Sequence, residues 1–269
     1  MNMLFRRSVV ALLAATLLSF ASLGWAGSVL DRVTKTNVIK VGMSGDQAPM
    51  NAKARDGSTI GLEVDFATAL ALAMGLDLEI VNIPFGDLED ALRKGKVDMV
   101  MSGMAITPER AKKMAFVGPY MLSGKSLVTK IGSLAAADET ADIDSAEIKI
   151  AVLANSTSQS FVEKYAPKAK VVKVANYDEG VKMLIGDEVS AMVADMPACV
   201  LAVLRNPDAG LVTTTTPLKL EPIGIAVDAR DEEFRNLVQN YVVGLERTGI
   251  VDALRKKWFE SAEWVRLLP

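Results

Sequence analysis

The sequence predicts an α/β fold with two lobes, each a mainly parallel sheet flanked by helices. Strand and helix patterns alternate through residues 38–101, and the same alternation returns through 148–205. Small and polar residues at 135–142 separate the two runs. Half of the 269 residues are hydrophobic and only 6% are aromatic, which is typical of a folded α/β protein rather than of a disordered chain.

The N-terminus has the pattern of an export signal. Two arginines precede an apolar run over 9–23 that contains no acidic residue and is too short to span a bilayer comfortably. The run closes on small residues, Gly24 and Ala26, so we expect a signal peptide over 1–26 that is cleaved after Ala26. An uncleaved membrane anchor is the alternative. No cysteine follows the run, which excludes a lipid anchor there.

Charge and length restrict the partners of the remaining chain. Removing the expected signal leaves 243 residues, enough for one large domain or two smaller ones. Its 28 basic and 33 acidic residues give a net charge near −5, so we expect no nucleic-acid partner.

The absence of certain residue types excludes several kinds of site. The chain has no histidine and a single cysteine, Cys199. A Ser-His-Asp or Cys-His catalytic arrangement, the common zinc sites and an intrachain disulfide are therefore impossible. Carboxylate or lysine chemistry stays open. We predict no catalytic residue, no metal and no cofactor, and we interpret Cys199 as a small buried hydrophobe.

The first run of elements forms a parallel α/β unit. β-branched residues and alternation indicate the strands, and apolar spacing indicates the helices. Gly75 ends the first of these helices in the C-terminal capping position. In order, the predicted elements are a strand at 38–43, a helix at 66–74, a strand at 78–83, a helix at 85–93 and a strand at 97–101.

The second run repeats this organisation, followed by a strand at 224–227 and two amphipathic helices at 232–246 and 250–259 that we expect to return to the first lobe. We therefore predict one lobe from 27–121 with 224–269, and the other from 122–223. In order, the second run contains a strand at 148–153, a helix at 158–165, a strand at 169–174, a helix at 178–185, a strand at 189–194 and a helix at 197–205.

Several motifs occur in a family-specific order. They are GLEVD at 61–65, VDMVMSG at 97–103, TPERAKK at 107–113, PY at 119–120, SGK at 123–125 and KKWF at 256–259. Together they resemble the polar amino-acid-binding proteins of bacterial ATP-driven importers, the extracellular solute-binding proteins of family 3. The resemblance implies the type II periplasmic-binding-protein fold, with two crossover hinge strands around Tyr120 and Ile223 that close the lobes over a ligand.

The same resemblance implies a function without catalysis. Such a protein is a periplasmic monomer that captures a small amino-acid-like carboxylate between its lobes and delivers it to the permease of an ABC transporter. It needs no cofactor.

The segment around Arg110 is the strongest candidate for carboxylate binding. Thr107 suits a helix N-cap and Pro108 the first helical position, so Arg110 projects from the first turn. A guanidinium beside free helix amides is an anion site, which backbone N–H groups around Ser102 and Gly103 would complete. The alternative is that Arg110 pairs with a carboxylate of the protein.

Two segments of the second lobe are further candidates. Ser156 or Thr157, after Asn155, can cap a helix while the backbone amides of the loop bind the ligand carboxylate proposed for Arg110. The alternative is that the segment is only a capped helix. Asp195 ends a strand at the mouth of the sheet. The resemblance implies that Asp195 binds the α-ammonium of the ligand. Alternatively Asp195 is the N-cap of the next helix, and the two roles are compatible.

Three first-lobe residues bear on the ligand's identity. By resemblance Phe85 lies against the ligand side chain, although a phenylalanine after a proline is equally often core. Ala105 stands where relatives carry a hydroxyl that donates to the carboxylate, a loss of about 1.5–3 kcal/mol if nothing replaces it. Gln47 replaces an aromatic residue near the ligand side chain, which makes the pocket less aromatic.

Two other functions compete with transport. The sequence also resembles exported cyclohexadienyl dehydratases, which eliminate water from arogenate, or water and carbon dioxide from prephenate, with a carboxylate as general acid. On the helix after Asp195, where that acid is expected, the chain has Ala198 and Cys199, which disfavours the enzyme. An orphan binding or sensor module is the other alternative.

Overall fold

The computed structural model describes residues 28–136, 140–261 and 263–269. The predicted signal peptide and part of the segment at 135–142 lie outside these residues. The helices are α1 (Val29–Thr36), α2 (Leu62–Met74), α3 (Leu88–Arg93), α4 (Pro108–Ala111), α5 (Gly132–Ala135), α6 (Thr157–Tyr165), α7 (Tyr177–Ile185), α8 (Met196–Arg205), α9 (Glu232–Arg247) and α10 (Ile250–Phe259).

Twelve strands are present in the described part of the chain. They are β1 (Val38–Met43), β2 (Asp46–Gln47), β3 (Asn51–Lys53), β4 (Thr59–Ile60), β5 (Asp77–Asn82), β6 (Met99–Val100), β7 (Ala115–Thr129), β8 (Lys149–Leu153), β9 (Lys170–Val174), β10 (Ala191–Asp195), β11 (Val212–Thr213) and β12 (Lys219–Val227).

One mixed sheet organises the molecule. Its order is β5-β1-β6-β12-β7-β10-β8-β9, with β11 paired to β7. Strands β5, β1 and β6 are parallel to one another, and so are β10, β8 and β9. Between these halves, β12 and β7 run antiparallel to each other. The predicted fold of two mainly parallel lobes joined by two crossover strands is confirmed.

Local sequence signals explain where most helices begin and end. The side chains of Thr107, Ser156 and Asn176 accept hydrogen bonds from backbone N–H groups at the starts of α4, α6 and α7. Gly75 ends α2 with φ 69°, as predicted. Helix α2 begins at Leu62, four residues earlier than predicted.

The prediction missed two strand features. The resemblance predicted a crossover strand around Tyr120 but not its length: β7 extends over 15 residues, through Pro119 and the glycines within it. A small antiparallel sheet of β2, β3 and β4 follows β1 and places Gln47 beside the large sheet. Neither feature has the clean period-2 pattern on which strand prediction depends.

Apolar clusters support both lobes, and one of them contains Phe85 from the first lobe and Leu153 from the second. The largest surrounds Phe66 and Leu70 of α2, and α9 and α10 pack on this helix. A cluster within the second lobe includes Leu127, Val152 and Phe161. Burial of this apolar surface supplies most of the stabilising free energy of each lobe. No helix of the described residues is both long and apolar enough to cross a membrane.

The C-terminal segment 263–269 contacts both lobes. Leu268 is 3% exposed and packs with Ala48, Ala52 and, from α8, Leu201. On the same side, Arg205 donates to the backbone oxygen of Pro269 at 3.1 Å. This segment therefore crosses the boundary between the lobes.

Candidate ligand-binding cleft

A buried lysine lies next to Asp195. Lys125 of β7 is 2% exposed, and its Nζ lies 2.7 Å from Asp195 Oδ1 and 3.2 Å from Glu221 Oε2. The strand register explains the contact, because Lys125 stands directly opposite Asp195 of β10. The two carboxylates supply the pairing that a buried ammonium requires.

Glu221 extends this network along β12. Its carboxylate also accepts from Thr157 Oγ1 at 2.6 Å and from Lys219 Nζ at 3.0 Å. Burial raises the pKa of Glu221, but the charge of Lys125 and these two hydrogen bonds outweigh burial and hold the pKa below its ordinary value. Glu221 is therefore an anion that joins both crossover strands to α6.

A small cavity opens beside Asp195 between the lobes. Its volume is about 20 Å³, room for about one water molecule, so a larger solute requires the lobes to part. Asp195 contributes a carboxylate from one lobe, and Gln47 and Gly103 line the other side. The remaining walls are largely apolar, from Ala48, Met50, Met121, Tyr177, Pro197, Ala198 and Ile223, with Ser123 among them.

Gln47 carries an unpaired donor in this cavity. The residue is 6% exposed, and Nε2 has no hydrogen-bond partner among the described residues. An unpaired buried amide costs about 1–3 kcal/mol, so it indicates a place where a further polar group binds. Gly103 packs against Gln47: a Cβ at Gly103 would lie 2.6 Å from Gln47 Oε1, and its φ of 58° favours glycine.

A buried carboxylate fixes the loop at Gly103. Glu63 of α2 accepts from the backbone N–H of Gly103 at 2.7 Å, from Asn51 Nδ2 at 2.5 Å and from the Tyr120 hydroxyl. Burial raises the pKa of Glu63, and the three donors oppose that rise. Since the Gly103 N–H is engaged, it does not point at the cleft. Ser102 is likewise internal, and its Oγ accepts from the backbone N–H of Ser44 at 3.0 Å.

Arg110 lies in a second polar cluster at the same boundary. Nε donates to Glu89 at 3.2 Å, Nη1 to the Ala105 oxygen at 3.1 Å and Nη2 to the Asn155 oxygen at 3.2 Å. The guanidinium stands 5.5 Å from the ring centre of Phe85. Burial lowers the pKa of Arg110, while the charge of Glu89 opposes that effect. Arg110 therefore bridges the lobes while partly paired with a protein carboxylate.

The loop before α6 has the conformation expected from its sequence. Asn155 adopts φ 59°, in the left-handed region that asparagine tolerates. Ser156 caps α6 by accepting from the Gln159 N–H at 3.2 Å. Asp195 stands at the N-cap position of α8 but makes no capping hydrogen bond, because its carboxylate pairs with Lys125.

The structure thus divides the predicted site residues into groups. Gln47, Gly103 and Asp195 line one cavity. Arg110, Phe85 and Ala105 form the neighbouring cluster. Thr157 is linked to Asp195 through Glu221 and Lys125, whereas Ser102 and Ser156 make internal hydrogen bonds.

Sequence reasoning missed Lys125, Glu221 and Glu63. The available signal was a charged residue inside an apolar strand, because Lys125 precedes Ser126 and Leu127 in β7 and charged residues are rarely buried without a partner. Across the described ranges, no cluster of three metal-ligating side chains is found.

Comparison with known proteins decides the family. Residues 39–261 match the family described as bacterial extracellular solute-binding proteins, family 3. The chain belongs to this family.

Relatives of this family-3 protein include both binders and an enzyme. Cyclohexadienyl dehydratase of Pseudomonas aeruginosa is 26% identical, with 95% of each chain covered. The L-cystine-binding protein TcyJ of Escherichia coli K12 is 25% identical, covering 93% of this chain and 92% of the relative. Among solved structures, an ancestral amino acid-binding protein described as a precursor of cyclohexadienyl dehydratase is 33% identical with a TM-score of 0.78, covering 87% of this chain and 100% of that one. The type II binding-protein fold predicted for the chain agrees with this likeness.

Proposed function

We propose that this family-3 protein works in the periplasm as a monomer, captures a small amino-acid-like carboxylate between its lobes and delivers it to the permease of an ABC transporter. The observation that carries the proposal is the cavity in which the unpaired amide of Gln47 faces the carboxylate of Asp195 from the opposite lobe. The proposed lobes are 27–121 with 224–269, and 122–223.

The ligand carboxylate would bind Arg110. A guanidinium has five N–H groups, and three of them donate to Glu89, Ala105 and Asn155 in the described structure. The other two N–H groups are enough for a carboxylate, and the charge of Arg110 is held in a dry environment where the attraction is strong.

Closure would use the crossover strands as a hinge. Tyr120 of β7 and Ile223 of β12 lie where these two strands pass between the lobes. The polar contacts made across the boundary, Arg110 to Asn155 and Asn155 to the Gly86 oxygen at 3.4 Å, can break and reform as the lobes part. A solute held between the lobes would stabilise the closed arrangement.

A dehydratase is the second candidate, because a relative that carries that name covers 95% of this chain. The helix after Asp195 lacks a suitable acid: Ala198 lines the cavity, and Cys199 is fully buried, which raises the pKa of its thiol to about 12. A group with that pKa is a poor proton donor at neutral pH. Binding without catalysis is therefore the better proposal.

Two measurements on the purified mature chain test the proposal. A thermal-shift screen over amino acids and related small carboxylates should yield compounds that raise the melting temperature, because binding to the native state stabilises it. Incubation with prephenate should produce no phenylpyruvate. Steady turnover that is lost in the Asp195→Asn variant would instead identify an enzyme.

A further inference from the structure

A buried ammonium group of the protein is paired with Asp195, a residue that lines the cleft. Lys125 Nζ lies 2.7 Å from Asp195 Oδ1, the carboxylate proposed for an α-ammonium on the ligand. An ammonium only donates hydrogen bonds, so a ligand ammonium and Lys125 would compete for the same oxygens.

We propose that Lys125 determines the ligand class, and that the cleft binds small 2-hydroxy and 2-oxo carboxylic acids in preference to the corresponding amino acids. This inference rests on the proposed function and specifies its substrate class.

The charges around Lys125 are balanced without a ligand. Lys125 and Lys219 are paired with Asp195 and Glu221, two cations with two anions. A further ammonium beside Lys125 would add an uncompensated positive charge at a poorly solvated position. Displacing Lys125 is no easier, because the residue is 2% exposed and a buried cation that loses its partner is strongly unfavourable.

A hydroxyl or carbonyl oxygen suits the Lys125 and Asp195 pair better than an ammonium. The Nζ group has three N–H bonds; one donates to Asp195 at 2.7 Å, and Glu221 lies 3.2 Å from Nζ as an ion-pair partner. A 2-hydroxyl could accept from a remaining N–H and donate to Asp195, and a 2-oxo oxygen could accept from the same N–H. The ligand carboxylate would still bind Arg110, as in the proposed function.

The cavity walls describe the rest of the ligand. Met50, Met121 and Pro197 present apolar surface, and the free amide of Gln47 is uncharged. Neither the apolar walls nor the uncharged amide can neutralise a charge on the ligand's side chain. A short apolar or uncharged substituent on the 2-hydroxy or 2-oxo acid is the chemistry that fits.

Isothermal titration calorimetry on the purified mature chain tests the inference with ligands of matched side chain. L-Alanine is compared with L-lactate and pyruvate, and L-leucine with 2-hydroxy-4-methylpentanoate and 4-methyl-2-oxopentanoate. The hydroxy or oxo acid should bind at least tenfold more tightly than the amino acid of the same series.

The Lys125→Gln variant should reverse this preference, because the added cation is gone and Asp195 is free to accept an ammonium. The ratio of affinities should move at least tenfold toward the amino acid. Lys94→Gln is the matched control: it removes the same charge from a side chain that is 54% exposed and paired with Asp90, outside the Lys125 network. Its ratio should equal that of the wild type.

Tighter binding of the amino acid by the wild-type chain in both series would overturn the inference and leave the proposed function standing. The wild-type ranking decides this even if Lys125→Gln fails to fold, as judged by circular dichroism. An unchanged ratio in folded Lys125→Gln would also overturn it. Absence of binding by every compound of both series and of the broader thermal-shift screen would contradict the proposed function and the inference together.

Discussion

The guanidinium of Arg110 donates to the backbone oxygen of Asn155 at 3.2 Å and thereby connects a first-lobe helix to a second-lobe loop. Arg110→Lys keeps the charge but cannot make this contact together with those to Glu89 and Ala105. We expect ligand affinity to fall about 10- to 100-fold, the equivalent of about 1.5–3 kcal/mol for a hydrogen bond to a charged group. Calorimetric titration with the best ligand measures this loss. Arg93→Lys, an exposed arginine paired with Asp90, should leave affinity unchanged.

Gln47→Ala should separate binding from folding. Nε2 of Gln47 has no partner in the described structure, so truncation removes a buried unsatisfied group. We expect the free energy of unfolding to stay the same or rise, while ligand binding weakens by about 1–3 kcal/mol. Urea denaturation and calorimetric titration measure the two quantities. A variant that loses stability but binds normally would show that Gln47 serves the fold alone.

Glu221 should make stability depend on pH in the acid range. Its pKa is lowered in the folded protein, so the ionised carboxylate stabilises the fold above its unfolded pKa of about 4.3, and this contribution is lost as pH falls through the folded value. Relative to the wild type, Glu221→Gln should lose about 1–3 kcal/mol at pH 7, and the difference should shrink below about pH 4. Urea denaturation across pH measures it. The exposed Glu188→Gln should show no comparable effect.

Leu268→Ala should destabilise the protein through the C-terminal segment. Leu268 is 3% exposed between Ala48, Ala52 and Leu201, and such truncations cost about 2–5 kcal/mol. The adjacent Leu267 is 47% exposed and provides a matched control, since its truncation should cost less than about 0.5 kcal/mol. Equal effects of the two substitutions on the denaturation midpoint would show that the segment is not packed in solution as described.

The sequence was sufficient for the fold wherever structure depends on local patterns. Period-2 alternation predicted β1 over the same residues, and Thr107 and Ser156 cap helices as their side chains suggested. The length of strand β7, which was expected only as a crossover around Tyr120, was missed because its pairing with both lobes, rather than its own pattern, keeps it extended through Pro119.

The candidate site was predicted only in part, because its electrostatics depend on pairs distant in sequence. Asp195 was chosen from its position at the end of a strand and Gln47 from the resemblance to family-3 proteins, and the structure brings both to one cavity. Their ligand roles remain predictions. Lys125 could not be chosen from the sequence as a site residue, because its place in the site depends on its burial and on pairing with Glu221, which is 96 positions away along the chain. Only the register of β7 against β10 and β12 brings these charges together.

Cys199 is the single thiol of the chain, it is fully buried, and burial raises its pKa to about 12. In the native protein it should therefore resist maleimide reagents, whose double bond is attacked by thiolates. A cysteine introduced on the surface of each lobe would then be labelled selectively with Cys199 left in place. Donor and acceptor fluorophores at two such positions would convert the protein into an optical reporter of its own closure.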